Sequence, residues 1–425
     1  MGIIITFFQL ILCLALLIAA SVITFRPQIF KSLEKIIPQS RLWQILQAIF
    51  LWIVLLINLA GVFVPFVAFF ASCFAILASI PLVIKATHLK DSKTWSIATA
   101  LVLLPIIIGL GKPLGLKVIL LPKADELTKK LSTARVVKTY DEGFWFEGIT
   151  AGDDGTLYLS GNRNLDFSRN DYYHDGHGEL IERKPNGSES ILFKTPKGCT
   201  SGVPLIASDK SIYLTSYGEK SGIWRIDSNK KSFQIVEFPE VSWPNGLDQG
   251  PDGMLYTSDS NLGVIWRINP KSGKIEEAKR ESALLARPFI ALAPGANGLH
   301  FIKNDLYVTV SDQTTLLKYS VDDKGNIGKS SIVTKGVPGD DFAISKDGSF
   351  FITTHPYNTV VEVSPNGKRF IIAGMEQQII GPTDAAFGKT ENDSNTLYVV
   401  TDGGAFTGGP KTRGQLIALE PYGKK

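Results

Sequence analysis

Four residues with oxygen-bearing side chains, Glu147, Asn245, Asn297 and Asp340, stand at one register of a repeating pattern. Each precedes a short apolar run that leads through a polar turn to a second run centred on an aromatic: Tyr158, Tyr256, Tyr307 and Phe351 respectively. The separation is 11 residues for Glu147, Asn245 and Asp340, and 10 for Asn297, whose turn is one residue shorter. Two further units, with aromatics Tyr213 and Tyr398, carry Val203 and Thr383 at this position. Two carboxylates and two amide oxygens sum to a charge of −2, the ligand set of a hard divalent cation such as Ca²⁺. Zinc would prefer His and Cys, and no Cys falls at this register. Read singly, each residue is a strand cap or an Asx-turn. Four at one register are what a shared ligand would require.

The elements that must bring them together are legible in the same repeat. From about Ala134 onward, β-rich runs alternate with Gly, Asn, Asp and Pro. Six units recur with a period of roughly 40 residues, starting near Phe146, Ser201, Pro244, Ala296, Gly339 and Pro382. Most continue into a third and fourth run, as in "GVIWRINPKSGKIEEAK". Four strands in each of six units predict an all-β six-bladed β-propeller, with the four residues at the start of the innermost strands, facing the axis. The segment "ARVVKTYDEG" is the expected outer strand of the last blade, so that the two ends close the ring and leave no open sheet edge. The Pro-Asn-Gly tripeptides at 185–187 and 365–367 fall between third and fourth strands and are expected to be two-residue hairpin loops. Asn245, in an identical tripeptide, precedes an innermost strand instead.

These residues resemble a known family. The E-G at Glu147, N-G-L-D at Asn245 to Asp248, N-G-L at Asn297 to Leu299 and the acidic Asp340 before "FAISKDG" are similar to the gluconolactonase, senescence marker protein (regucalcin) and luciferin-regenerating enzyme family. More distantly they resemble the paraoxonases and strictosidine synthase. The likeness covers about residues 134 to 422. It implies a catalytic divalent metal, usually Ca²⁺, held by Glu147, Asn245, Asn297 and Asp340, and lactone hydrolysis as the commonest activity. The chain departs from the family in having Ile149 where Pro is usual and Asp340-Asp341 where Asp-Gly is usual. The register favours Asp340 as ligand, with Asp341 the alternative.

A cation of this kind can polarise a lactone carbonyl and stabilise the resulting oxyanion. The base that activates water is expected to be Asp340, as in the family, or His355, which lies in a loop returning to the same face; a solvated loop histidine is the plain alternative. The insertion at 162–178 is a candidate lid whose Tyr172, Tyr173, His174 and His177 could wall a substrate, against the reading of an ordinary surface loop. Lys411 and Arg413, in the sixth-unit loop, could meet an anionic substrate or simply be solvated. No G-x-S-x-G elbow occurs in a strand-turn-helix setting, which argues against a serine hydrolase.

The first hundred residues differ. Residues 3–25 and 42–84 contain no charged side chain. Against a ~30 Å hydrocarbon core these runs predict membrane helices at 3–25, 42–61 and 64–84, with a shorter fourth at 95–110. A signal peptide would need a basic n-region, which "MGIIITFFQL" lacks. The intervening linkers carry Arg26, Lys31, Lys35 and Arg41, then Lys85, Lys90 and Lys93, so the positive-inside rule places the propeller on the extracytoplasmic side, with membrane lipid as a partner. The net charge of +4, without a dense basic stripe, gives no nucleic-acid surface. Cys199 is alone in the polar region, so no internal disulfide is expected there. The expected organisation is a transmembrane region at 1–112, a linker at 113–132 and the propeller at 133–422. The expected function is metal-dependent lactone or ester hydrolysis, the alternatives being a non-catalytic, metal-stabilised binding propeller and strictosidine-synthase-like chemistry.

Overall fold

A computed structural model describes residues 124–423 except 167, 168, 170, 288–290 and 292, together with short stretches before them, of which 49–57 is the longest and is helical. Of the four apolar runs at 3–25, 42–61, 64–84 and 95–110, only residues 13, 14, 16, 49–57, 75, 76, 99 and 103 are among the described residues. Among the described residues no helix is long and apolar enough to cross a membrane.

Residues 121–425 form one compact unit. It is a six-bladed β-propeller, each blade a four-stranded antiparallel sheet. In blade 3 the strands are Pro244–Gln249, Leu255–Asp259, Val264–Ile268 and Ile275–Arg280, paired in that order. Blades 1, 2, 4 and 5 repeat this meander from first strands Phe144–Ala151, Pro204–Ile206, Ala296–Ile302 and Phe342–Ile344. Blade 6 takes three strands from the C-terminal end and its outermost, Thr133–Thr139, from before blade 1. Just upstream, the amides of Lys130 and Ser132 bond the carbonyls of Ile371 and Ile372 in the outer strand of blade 5 at 2.8 and 2.7 Å. The leading segment therefore ties two neighbouring blades before it closes the ring.

The unit aromatics explain why the repeat is regular. Tyr213 and Tyr256 are fully buried, and each hydroxyl donates to the Asp of its own first turn, Asp209 and Asp252, at 3.0 Å. The apolar body of the ring fills the space between blades and its polar tip reaches the rim. Gly253 adopts φ 76° in the Pro-Asp-Gly turn, a left-handed conformation that suits glycine.

The Pro-Asn-Gly turns at 185–187 and 365–367 are hairpin connections, but not two-residue ones. Lys184 and Ser188 pair across a three-residue loop, and Gly187 closes it at φ 85° after a turn through Pro185 and Asn186. Pro at the first turn position favours this arrangement, because its fixed negative φ excludes the primed turn that a two-residue loop needs.

The glycines after Glu147, Asn245 and Asn297 serve another purpose. A Cβ on Gly246 would run into the backbone of Asn297 and Leu299 in the next first strand, and one on Gly148 would strike Val203 and Pro204. First strands therefore pack backbone to backbone around the axis, and N-G here is a close-approach signal rather than a turn. Gly246→Ala is expected to destabilise the propeller by about 1–3 kcal/mol through overpacking. A thermal or denaturant melt with an unchanged midpoint would contradict this packing.

Candidate metal centre

Each candidate ligand sits where its strand is irregular. The pairing register shifts between Phe146 and Gly148, between Pro244 and Leu247, between Ala296 and Leu299, and between Pro382 and Asp384. A bulge inserts an extra residue and re-aims a side chain, here out of the sheet and toward the mouth of the central channel. In blade 5 the regular strand starts only at Phe342, which leaves Asp340 and Asp341 just ahead of the ladder.

Asn297 is the best-defined member. It is only 3% exposed, and its Nδ2 donates to Ser311 Oγ at 2.9 Å and to Asp340 Oδ1 at 2.6 Å. These bonds orient the amide, and its Oδ1 is left buried with no hydrogen-bond partner. An orphaned buried carbonyl is costly unless something electropositive meets it. Asn245 is also buried; Thr215 donates to its backbone carbonyl at 2.9 Å, while its side chain has no hydrogen-bond partner among the described residues. Of the adjacent acids, Asp340 joins Asn297, whereas Asp341 turns away to pair with His300 at 3.1 Å. Val203 and Thr383 fill the remaining positions and are both buried.

The charges show a shortage of cations. Burial, then repulsion from Asp340, pushes Glu147 up to about 8, with His355 opposing. Burial likewise raises Asp340 to about 7, with His355 opposing and Asp341 adding to the rise. His355 is drawn down by burial, but Asp402, Asp340 and Glu147 outweigh this and lift it to about 9. A divalent cation would offset the repulsion and meet the Asn297 oxygen. The donor set of two carboxylates and two amide oxygens therefore fits a hard dication.

The sign of the resulting pH dependence is fixed. Both acids are raised, so without a cation their ionisation costs stability as pH climbs from the ordinary carboxylate range to about 8. His355 is also raised, so its contribution is complete at low pH and is lost through about 9. All three shifts make the cation-free ring less stable as pH rises. Because a ligand carboxylate must shed its proton, Ca²⁺ binding is expected to release protons at pH 6, with affinity rising about tenfold per pH unit for each proton displaced. Calorimetry in buffers of different ionisation enthalpy reads this directly. A binding heat independent of buffer at pH 6 would contradict it.

His355 opens the loop after the second strand of blade 5, and its Nε2 lies 2.9 Å from Asp402 Oδ2. Asp402 is 3% exposed and also accepts the Gly404 amide at 2.6 Å. Sequence reasoning passed over Asp402, although a signal was present. Asp259, Asp312 and Asp402 stand at or within two residues of the ends of second strands, each after Ser or Thr. In blades 3 and 4 that Asp accepts loop amides, from Trp243 and Leu262 and from Arg287 and Ala293. In blade 6 it holds a histidine as well.

Of the remaining candidates, Tyr172 belongs to the site. Its hydroxyl meets that of Tyr217 at 3.1 Å, the Tyr217 ring lies 5.1 Å from Trp243, and Glu147 acts electrostatically on both tyrosines. Burial is the main cause that raises both phenols, which therefore remain donors. Tyr217 and Trp243 were not singled out from sequence. Tyr173 packs with Trp145, Leu165 and Ala405, which seats the 162–178 insertion on blade 1 and the sixth-blade loop. His174 pairs with Glu219 in a half-exposed contact, and His177 lies beside Glu179 at 3.3 Å. Arg413 is half exposed and paired with Glu142, and Lys411 is exposed.

No family model matches the chain. Its sequence aligns at 28% identity over 206 residues with a protein of Sarocladium schorii named as a hetero-Diels-Alderase, covering 44% of this chain and 47% of that one. The chain thus spans about half the length of that curated relative. Among solved structures it is similar to a luciferin-regenerating enzyme, with a TM-score of 0.51 at 14% identity over 69% of this chain and 96% of that one. The two share one fold. Regucalcin of Agrobacterium tumefaciens has a TM-score of 0.48 at 17% identity, covering 69% of this chain and 96% of its own. A gluconolactonase of Xanthomonas campestris has a TM-score of 0.47 at 16% identity, covering 71% and 96%.

Proposed function

We propose that this chain is a cation-dependent hydrolase that opens a lactone or a similar ester. The observation that carries the reading is the buried, partnerless Oδ1 of Asn297 beside two carboxylates, Glu147 and Asp340, whose charges are not balanced within the ring. Glu147, Asn245, Asn297 and Asp340 would hold the ion, and the donor set favours Ca²⁺. When bound, such an ion polarises a carbonyl and stabilises the oxyanion that forms from it.

The chain's own residues do the rest. Asp340 is engaged by Asn297 and would be engaged by the ion, so we assign the proton of the attacking water to His355. The imidazole can accept it above its raised pKa of about 9, or at lower pH where a cation would offset the Asp340 and Glu147 charges that help raise it. Asp402, bonded to Nε2, orients the imidazole and stabilises the imidazolium that forms. Tyr172, Tyr217 and Trp243 form an aromatic wall that excludes water and packs against a small cyclic substrate. The test is turnover of a lactone panel by the purified chain. If no lactone or ester turns over while Ca²⁺ still raises the melting temperature, the propeller is a binding module.

A second reading has its own support. The aligned relative is named for a hetero-Diels–Alder cycloaddition, a reaction that needs shape and an aromatic enclosure rather than a base. On that reading turnover of a diene substrate would survive chelation and Glu147→Gln, whereas lactone hydrolysis would survive neither. We also propose, from the apolar runs before residue 112, that the chain is membrane-anchored with the propeller extracytoplasmic. A Cys placed at Ser188 would then label from outside in intact cells, and labelling only after permeabilisation would reverse the orientation.

A further inference from the structure

A second group of ligating side chains lies further along the same innermost strands. Asp248 and His300 follow Asn245 and Asn297 by three residues, and Asp341 and Asp384 follow Asp340 and Thr383 by one. Ligating atoms of His300, Asp341 and Asp384 all lie within 4.8 Å of one another. His300 Nε2 is 3.1 Å from Asp341 Oδ1, and its Nδ1 is 3.7 Å from Asp248 Oδ2. Asp341 and Asp384 are 2% and 1% exposed, so these are interior carboxylates rather than a solvated acidic face.

Main-chain amides fix the acids. Asp384 accepts from Ile149 at 2.8 Å and Ala385 at 2.6 Å, Asp341 Oδ1 from Phe342 at 2.8 Å, and Asp248 Oδ2 from Phe301 at 2.7 Å. Such bonds lock the oxygens in place. Asp341 Oδ2, however, is buried with no partner. As ligands the three acids would be ionised and would carry −3, of which His300, even if protonated, would return only +1. The deficit of two charges is that of one dication.

The approach to this group differs from that of the Glu147 site. A cavity of about 600 Å³ is lined by Asp248 and His300 together with Phe342, Lys346, Lys389 and Tyr422. Ser345–Asp347 and Gly388–Lys389, also in its lining, belong to turns joining first to second strands, so it opens at the opposite end of the channel from the starts of the first strands.

We propose that His300, Asp341 and Asp384, with Asp248 at their edge, bind a second divalent cation at this end of the channel. One imidazole among carboxylates suits zinc or manganese rather than the all-oxygen preference of calcium. The site is separate from the Glu147 cluster and does not rest on the lactonase reading.

The test is zinc and manganese titration of the full chain after chelator treatment, with metal content measured by mass spectrometry. The Glu147→Gln chain is expected to retain one tight zinc or manganese equivalent. His300→Gln and Asp384→Asn, made in that background, are expected to weaken it by at least about 100-fold. If Asp384→Asn does not fold, the Co²⁺ absorption spectrum of the Glu147→Gln chain, with and without His300→Gln, supplies the same answer. A Glu147→Gln chain that binds neither metal would show His300 to be an imidazolium closing an ion-pair network, and the proposal would fail. It would fail equally if binding were unchanged by His300→Gln.

Discussion

Glu147→Gln is expected to lower kcat/KM for lactone hydrolysis by about 10³-fold and to remove its dependence on Ca²⁺. The substitution is nearly isosteric, and the packing around Gly148 that Val203 and Pro204 impose is untouched. What changes is charge. Glu147 is one of two carboxylates in the proposed ligand set, so its loss halves the charge that holds the ion. It also relieves repulsion with Asp340, which contributes to raising Glu147 to about 8. The variant should therefore be at least as stable as the parent when both are cation-free, and less stable when both are saturated with Ca²⁺. That crossing of melting temperatures separates loss of a ligand from loss of structure. A variant with parental activity would refute the ligand assignment.

Asp402→Asn is expected to lower kcat by about 10²–10⁴-fold while leaving KM and Ca²⁺ affinity nearly unchanged. The amide oxygen can still accept the Gly404 amide, so the loop between the second and third strands of blade 6 keeps its bond. The amide cannot stabilise an imidazolium. His355 is raised to about 9, by Asp402 foremost among the groups that raise it. The acidic limb of the variant's pH–rate profile, which reports deprotonation of His355, should therefore move to lower pH. A purely structural Asp402, like Asp259 and Asp312, would lower the melting temperature and leave the profile in place. His355→Gln should match the kcat loss, and the double variant should be no worse than either single one, because the two act as a unit.

Much of this arrangement can be read in the sequence, and what cannot has physical causes. Blade count and ring closure follow from period-2 runs and recurring aromatics, because every blade must bury a similar ring between its neighbours. The register of Glu147, Asn245, Asn297 and Asp340 follows from the same repeat. Register alone does not say which way consecutive residues point. At the start of blade 5, Asp340 and Asp341 are adjacent in sequence yet join different clusters, one with Asn297 and one with His300. Nor does a repeat reveal partners on different blades. His355 and Asp402 meet across blades 5 and 6, and Tyr172, Tyr217 and Trp243 come from three separate segments. The Pro-Asn-Gly hairpins show the opposite error. Their composition marks a turn, but the loop length is set by the φ of proline, which a tripeptide match ignores.

The glycines make the same point about motifs. Asn-Gly at 245–246 and Asn-Gly at 186–187 are one dipeptide with two causes. Gly187 supplies a positive φ, while Gly246 has no room for a Cβ against Asn297 and Leu299. Only the neighbouring strand distinguishes them, and that strand lies about fifty residues away.

The central claim is that four side chains from four blades converge on one cation at the mouth of the channel. The most direct measurement is a crystal structure of the chain soaked in Ca²⁺, with anomalous scattering used to locate the ion. The account predicts a peak coordinated by Glu147, Asn245, Asn297 and Asp340, with Asn297 Oδ1 no longer without a partner. Full soaking that leaves this position without a peak, or in which the ion avoids Asn297 and Asp340, would contradict it.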